Sequence, residues 1–210
     1  MDDNLHDRLG EIQHVTDRRE SRVDEGYESF FRVQGWTGQF DGDRGPDFEQ
    51  DLWFVQTGLN LIGWDIRDTG DSLRLGLAFS YGTSQIATFD PMGAETGFEF
   101  DSPALALTGT YQGAGGWYID SVLRGSYFEV DASTSLRGAV ADFTGSGLGA
   151  SIEVGYPILL AERLIFEPQM QVRYQRNWFN SFTDVDGVAV DFDDNNGLLG
   201  RIGGRVRKTF

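Results

Sequence analysis

The stretch Trp117–Val130, WYIDSVLRGSYFEV, decides the fold. Taken in steps of two, it splits into Trp117, Ile119, Ser121, Leu123, Gly125 and Tyr127 on one side. Tyr118, Asp120, Val122, Arg124, Ser126 and Phe128 fall on the other. Alternation of this kind marks a β-strand, because successive Cβ atoms point to opposite faces. The run is long against the usual strand of about 5–6 residues. One face is apolar and bounded by aromatics, and the other holds an acid and a base.

The pattern recurs along the chain. SFFRVQGWTGQF sets Phe31 and Val33 against Arg32 and Gln34. DLWFVQTGLNLIGW sets Trp53, Val55, Thr57, Leu59 and Leu61 against Gln56, Gly58 and Asn60. SLRLGLAFSYG sets Leu73, Leu75, Leu77, Phe79 and Tyr81 against Arg74, Gly76, Ala78 and Ser80. PALALTGTYQ follows, with Leu105, Leu107 and Tyr111 apolar. After the opening stretch come SGLGASIEVGY, with Leu148, Ile152 and Val154 against Gly149, Ser151 and Glu153, and RLIFEPQMQVRYQRNW, with Met170, Val172 and Tyr174 against Glu167, Gln169, Gln171 and Arg173. GLLGRIGGRVRKTF sets Ile202 and Val206 against Arg201 and Arg205. The sum is about eight strands, joined by turns that alternate between short (GAGG, PILLAER) and long and acidic (FTDVDGVAVDFDDNN).

Composition removes several function classes. A net charge of −16 excludes a nucleic-acid binder, which needs a basic face for phosphates. The chain has no cysteine, so no disulfide framework or thiolate ligand set is available. His6 and His14 are spaced for no metal pair, and DFDDNNG lacks the calcium-loop spacing, so no metal is expected. No phosphate-binding or nucleophile-elbow motif is found, and no cofactor is expected. No apolar run approaches ~20 residues, so a transmembrane helix is not expected. MDDNLHDRLGEIQ has no apolar core and does not read as a signal peptide.

The polar face carries little lysine and much glycine, unlike the exterior of a water-soluble β protein, which stands as the alternative. A transmembrane barrel reverses the soluble pattern: aliphatics face lipid, the lumen is polar, and aromatics ring both interfaces. On this reading Trp53, Leu59, Leu75, Leu77, Phe79, Trp117, Ile119, Leu123, Tyr127, Ile152 and Val154 face lipid. Arg32, Arg74, Arg124, Glu167, Gln171, Arg173, Arg201 and Arg205 join Asp120 and Glu153 in a lumenal network. Asp120 and Arg124, four residues apart or roughly 13 Å, cannot pair with each other. Glu153 is the expected partner of Arg124. The first ~20 residues differ: Leu5, Leu9 and Ile12 lie at helical spacing among charges, with Asn4 able to cap the helix.

Here the chain resembles the C-terminal translocator domain of autotransporters, the type V secretion family. FFRVQGW is similar to that family's first strand, WYIDSVLRGSYF to its middle strand with an inward acid, and NGLLGRIGGRV to a later strand. ASIEVGYPI followed by LIFEPQMQVRYQR carries the family's E-x-G-Y and E-P-Q order. The resemblance implies an all-β, antiparallel outer-membrane barrel over residues 25–210. Residues 1–24 would form a helix and linker in its lumen. The family barrel has twelve strands, so the last are expected to lie outside this chain; a closed eight-stranded barrel of passive function is the rival. Implied partners are outer-membrane lipid of a Gram-negative bacterium, an N-terminal passenger and the barrel-assembly machinery. In the serine protease branch of the family an Asn in the helix cleaves its own backbone with help from lumenal acids. That role would fall on Asn4, Asp120 and Glu153, although Asp3 stands where the cleaving Asn is found and a third acid is replaced by Gln171.

Overall fold

The structure, a computed structural model, describes residues 29–40, 47–66, 69–89, 94–161, 164–193 and 195–208. The expected helix over 1–24, Asn4 and Phe210 lie outside the described residues. Among the described residues eleven strands follow one another: β1 (Ser29–Phe40), β2 (Asp47–Ile66), β3 (Asp71–Phe89), β4 (Glu95–Gln112), β5 (Tyr118–Thr134), β6 (Gly138–Gly155), β7 (Ile158–Ala161), β8 (Leu164–Phe179), β9 (Phe182–Thr183), β10 (Ala189–Val190) and β11 (Asn195–Lys208). The main sheet runs β1-β2-β3-β4-β5-β6-β8-β11, with β7 beside β8, and every pairing is antiparallel. It curves into a half-barrel. Among the described residues β1 and β11 each pair along one edge and not with each other, so the closed eight-stranded rival is not what forms.

The residue types explain the wall. Each long strand alternates, so a single register commits all its apolar side chains to one face. Leu105, Leu107, Leu123 and Ile152 are exposed on the outer face, while their inner-face neighbours Ala104, Ala106, Val122 and Ser151 are buried. The apolar cluster on the inner face is small: Ala78, Ala106 and Val122 with Phe30 packed against them. Polar residues are buried beside it, among them Gln56, Ser80, Asp120, Glu153, Glu167 and Gln171.

One bulge departs from the expected alternation. Asn60 pairs with Gly76 and Ile62 with Leu75, which leaves Leu61 as an extra residue. The phase of β2 therefore flips, and Ile62, Trp64 and Ile66 join Trp53 and Leu59 as exposed outer residues. Discounting the bulge, Trp53 and Trp64 are ten pleats apart, about 33 Å of strand, or about 25 Å of depth at a tilt near 40°. Trp117 and Tyr127 on the β5 side give the same interval. The two rows of aromatics thus stand one hydrocarbon thickness apart.

Beyond the Trp53–Tyr127 row the strands continue and the faces change character. Asp51, Gln85, Glu99, Asp131 and Asp142 form one cross-strand row on the outer phase. The inner phase there turns aromatic. The long acidic segment read from sequence holds a short hairpin, β9–β10. Asp184 Oδ1 accepts from the N–H groups of Asp186 and Val188 at 2.9 and 2.8 Å, and Gly187 takes the left-handed conformation of the turn, φ 81°. Phe182 stacks on Phe143 at 4.9 Å between centroids, and Phe192 lies 5.1 Å from Phe143 and 5.5 Å from Phe179. Phe143→Ala is expected to release this hairpin alone: limited proteolysis should cut within residues 180–193 while the barrel keeps its heat-modifiable gel mobility. Cleavage unchanged from the parent would show that the rings do not hold it.

Candidate functional site: the polar inner wall

A row of polar residues crosses the inner face. Arg74 pairs with Thr110, Thr110 with Asp120, Asp120 with Glu153, Glu153 with Gln171, and Gln171 with Arg201, one residue from each of β3, β4, β5, β6, β8 and β11. Directly opposed side chains in a sheet are near enough to bond. Thr110 Oγ1 donates to Asp120 Oδ1 at 2.6 Å, and Arg201 donates to Glu153 Oε2 at 2.9 Å. Asp120 and Glu153 are adjacent acids, 3% and 2% exposed, each held by a donor from a different strand. A buried carboxylate needs such a donor, since an unpaired one would be costly.

Tyr118 organises the second cluster. Its ring crosses the backbone of Gly155, where an added Cβ would stand 2.4 Å from Cε1 and Cζ. The hydroxyl thereby reaches Glu153 Oε1 at 3.0 Å and Glu167 Oε1 at 3.3 Å. A phenol has one proton, so it serves one glutamate at a time. Gln169 Nε2 donates to the Tyr118 oxygen at 2.9 Å and to Glu167 Oε1 at 2.8 Å. Arg207 donates to Glu167 Oε2 at 3.4 Å. Glu167 is 1% exposed and Tyr118 2%. Gln171 Nε2 is buried without a hydrogen-bond partner.

Strand phase puts Arg32, Arg74, Arg124, Glu167, Gln171, Arg173, Arg201 and Arg205 on this face with Asp120 and Glu153. Trp53, Leu59, Leu75, Leu77, Phe79, Ile119, Leu123, Tyr127, Ile152 and Val154 take the opposite phase, and Trp117 is exposed just before β5 begins. One pairing differs from expectation. Arg124 stands opposite Gly149, and Glu153 stands opposite Asp120, bridged to Arg201. The register, which alternation alone does not give, moves Glu153 along the strand from Arg124. Tyr118, Gln169, Thr110 and Arg207 were missed as members of the network. The inward phase was legible for Tyr118, but the direction of its ring depends on Gly155, the glycine of the E-x-G-Y stretch, which only the register places opposite it. No group of three or more metal-ligating side chains occurs among the described residues.

A curved antiparallel sheet with an apolar outer face, two aromatic rows one bilayer apart and a hydrogen-bonded polar inner face is the wall of a transmembrane β-barrel. The chain belongs to the autotransporter β-domain family: the family model described as "Autotransporter beta-domain" matches residues 30–210. Among curated relatives, the adhesin BmaC autotransporter of Brucella suis is 25% identical over 177 residues, 82% of this chain and 5% of that protein. The BrkA autotransporter of Bordetella pertussis is 34% identical over 96 residues, 44% of this chain and 10% of that protein. The chain thus spans a tenth or less of the length of these relatives. Its fold is similar to the β domain of Bordetella BrkA, at TM-score 0.69 and 23% identity, covering 88% of this chain and 72% of that one. It is also similar to the transport unit of AIDA-I from Escherichia coli, at TM-score 0.70 and 14% identity, covering 96% and 71%. Membership places the domain in the outer membrane of a Gram-negative bacterium.

Proposed function

We propose that this domain anchors and exports a passenger joined to its N-terminus, with the polar inner face as the path and the outer face in contact with outer-membrane lipid. The inverted wall carries the reading: glutamates buried on the inside, and Leu105, Leu107 and Ile152 more than half exposed on the outside. Water-soluble proteins seldom expose apolar patches of such extent, whereas a hydrated path tolerates charge. The family implies a passenger before the barrel, and insertion then falls to the barrel-assembly machinery. Residues 1–24 would connect the passenger through the lumen.

Expression of the full-length protein in a Gram-negative host tests this. The barrel should require detergent for extraction and shift in gel mobility on heating, and an epitope in the passenger should be protease-accessible on intact cells. A passenger retained in the periplasm beside a correctly folded barrel would count against export. A barrel that stays in solution without detergent would overturn the membrane reading as well.

A further inference from the structure

The apolar outer band holds one charged side chain at its cell-surface edge. Tyr81 pairs with Pro103, and Tyr127 with Ser146, which pairs with Trp178. These residues form the aromatic row on the side of the long β8–β11 connection, the cell-surface side of such barrels. Arg176 lies one outward step below Trp178, opposite Leu148 on β6 and Asn196 on β11. Among the described outer-phase residues between the two aromatic rows it is the only charged side chain. Two strand residues at a tilt of about 40° put its Cα about 5 Å below the row. The side chain climbs that depth, for its guanidinium carbon stands 5.0 Å from the centre of the Trp178 ring. An arginine at this level is inexpensive because its head reaches the polar interface while its stem stays in hydrocarbon. The surroundings change along the wall. One row further out, β4 and β5 place Asp101 and Glu129 opposite each other. β6 places Thr144 there instead, and Asn180 Nδ2 donates to its hydroxyl at 2.7 Å. The β8 sector thus sets a cation and an indole among neutral hydrogen-bonding groups, beside a sector that is anionic.

We propose that Arg176 and Trp178 form a binding site for the phosphomonoester headgroup of an outer-leaflet lipid. The inference rests on the reading of the outer face as lipid-facing and adds which headgroup that face selects. A guanidinium has five N–H donors in a fixed plane, and a phosphomonoester accepts two of them side by side. The contact with the Trp178 ring holds the group at headgroup depth without using those donors as paired hydrogen bonds. Below Arg176 the outer phase of β8 continues with Tyr174, Val172 and Met170, all exposed. A lipid fits both parts at once: its phosphate meets Arg176 and its acyl chains lie along that apolar column. A free anion would use only the first part, so the geometry points to the lipid as the source of the phosphate. Acidic side chains on β4 and β5 would repel the same headgroup, which confines the preference to the β8 sector.

The test compares two lipids that differ by the phosphate alone. The full-length protein is inserted in phosphatidylcholine vesicles that hold equal minor fractions of phosphatidic acid and diacylglycerol. Lipid retained on the barrel after mild detergent extraction is then quantified by mass spectrometry. The parent should retain phosphatidic acid over diacylglycerol roughly tenfold, the decade that one charge-assisted pair supplies. Arg176→Gln should remove that preference. Lys208→Gln, which takes away the outer-phase cation at the opposite end of the wall, should leave it as in the parent. A parent without a preference overturns the proposal, as does a folded, heat-modifiable Arg176→Gln barrel that retains phosphatidic acid as the parent does. An equal loss from Lys208→Gln overturns it too, since attraction would then follow charge and not the site. Release of the lipid by excess inorganic phosphate would identify a general anion site and sink the headgroup assignment. Should Arg176→Gln not fold, Arg176→Lys is judged by the same criterion, with a partial loss expected because an ammonium cannot make the paired bonds. Passenger display is scored separately on intact cells: normal display by a parent with no lipid preference refutes this inference and leaves export standing.

Discussion

Leu123→Arg should destabilise the barrel in a bilayer by about 2–4 kcal/mol, the cost of a cation on the lipid face near the midplane. Leu123 lies six residues from Trp117 and four from Tyr127, on the outer face between Leu107 and Ala150. It is 48% exposed, so the effect comes from lipid in place of solvent and not from a lost packing contact. The same residue type on the inner face gives the control. Gly203 is inner-phase on β11, and a Cβ there would meet nothing within 4 Å. Gly203→Arg should therefore stay within about 1 kcal/mol of the parent, as surface changes commonly do. Urea unfolding from phosphatidylcholine vesicles, followed by gel mobility, measures both. The Leu123→Arg cost alone corresponds to a factor of roughly 30–700 in the folding equilibrium. Equal effects at the two sites would mean that the faces have been assigned to the wrong solvents.

The contrast between those two positions is also why so much of the fold could be read from the sequence. A barrel wall separates hydrocarbon from a hydrated interior, so its two faces differ more than those of most soluble sheets. β3 and β5 show it plainly, with Leu75, Leu77 and Phe79 against Arg74, Ala78 and Ser80, and with Ile119 and Leu123 against Asp120 and Arg124. What alternation could not give was anything set by one extra residue or by the neighbouring strand. The bulge at Leu61 changes which residues of β2 face out, and no local pattern announces it. The partner of Glu153 depends on register between strands far apart in sequence. Arg207 pairs with Ile165 on the neighbouring strand, and only that register brings its guanidinium to Glu167. The hairpin at Asp184–Gly187 was hidden by its own acidity, because Phe182 and Phe192 are spaced too widely for a strand pattern, and their contacts with Phe143 are tertiary.

Gly155→Ala is the second large effect expected, and it tests whether the inner network is built around one ring. The new methyl would need the space of Tyr118, whose Cε1, Cζ and hydroxyl oxygen stand 2.4, 2.4 and 2.5 Å from it. Tyr118 is buried, so its ring has nowhere to move without leaving Glu153, Glu167 and Gln169. Overpacking of this kind costs about 1–3 kcal/mol, and each buried polar group left without its partner adds about 1–3 kcal/mol. A total of about 2–6 kcal/mol follows if one such group is stranded. The two terms separate in a double-mutant cycle. Tyr118→Phe keeps the ring and removes the hydroxyl, so in that background Gly155→Ala should still cost the overpacking term and lose the polar one. Tyr118→Ala removes the ring, and there Gly155→Ala should cost under about 1 kcal/mol, since the methyl would find open space. If Gly155→Ala costs as much without the ring as with it, the glycine serves the backbone of β6 and not Tyr118. The coupling also decides how the glutamates are held. A network centred on Tyr118 predicts that Gly155→Ala and Glu167→Gln are strongly non-additive, because both act through the same hydroxyl and the same Gln169. Independent salt bridges to Arg201 and Arg207 would instead make them additive within about 0.5 kcal/mol.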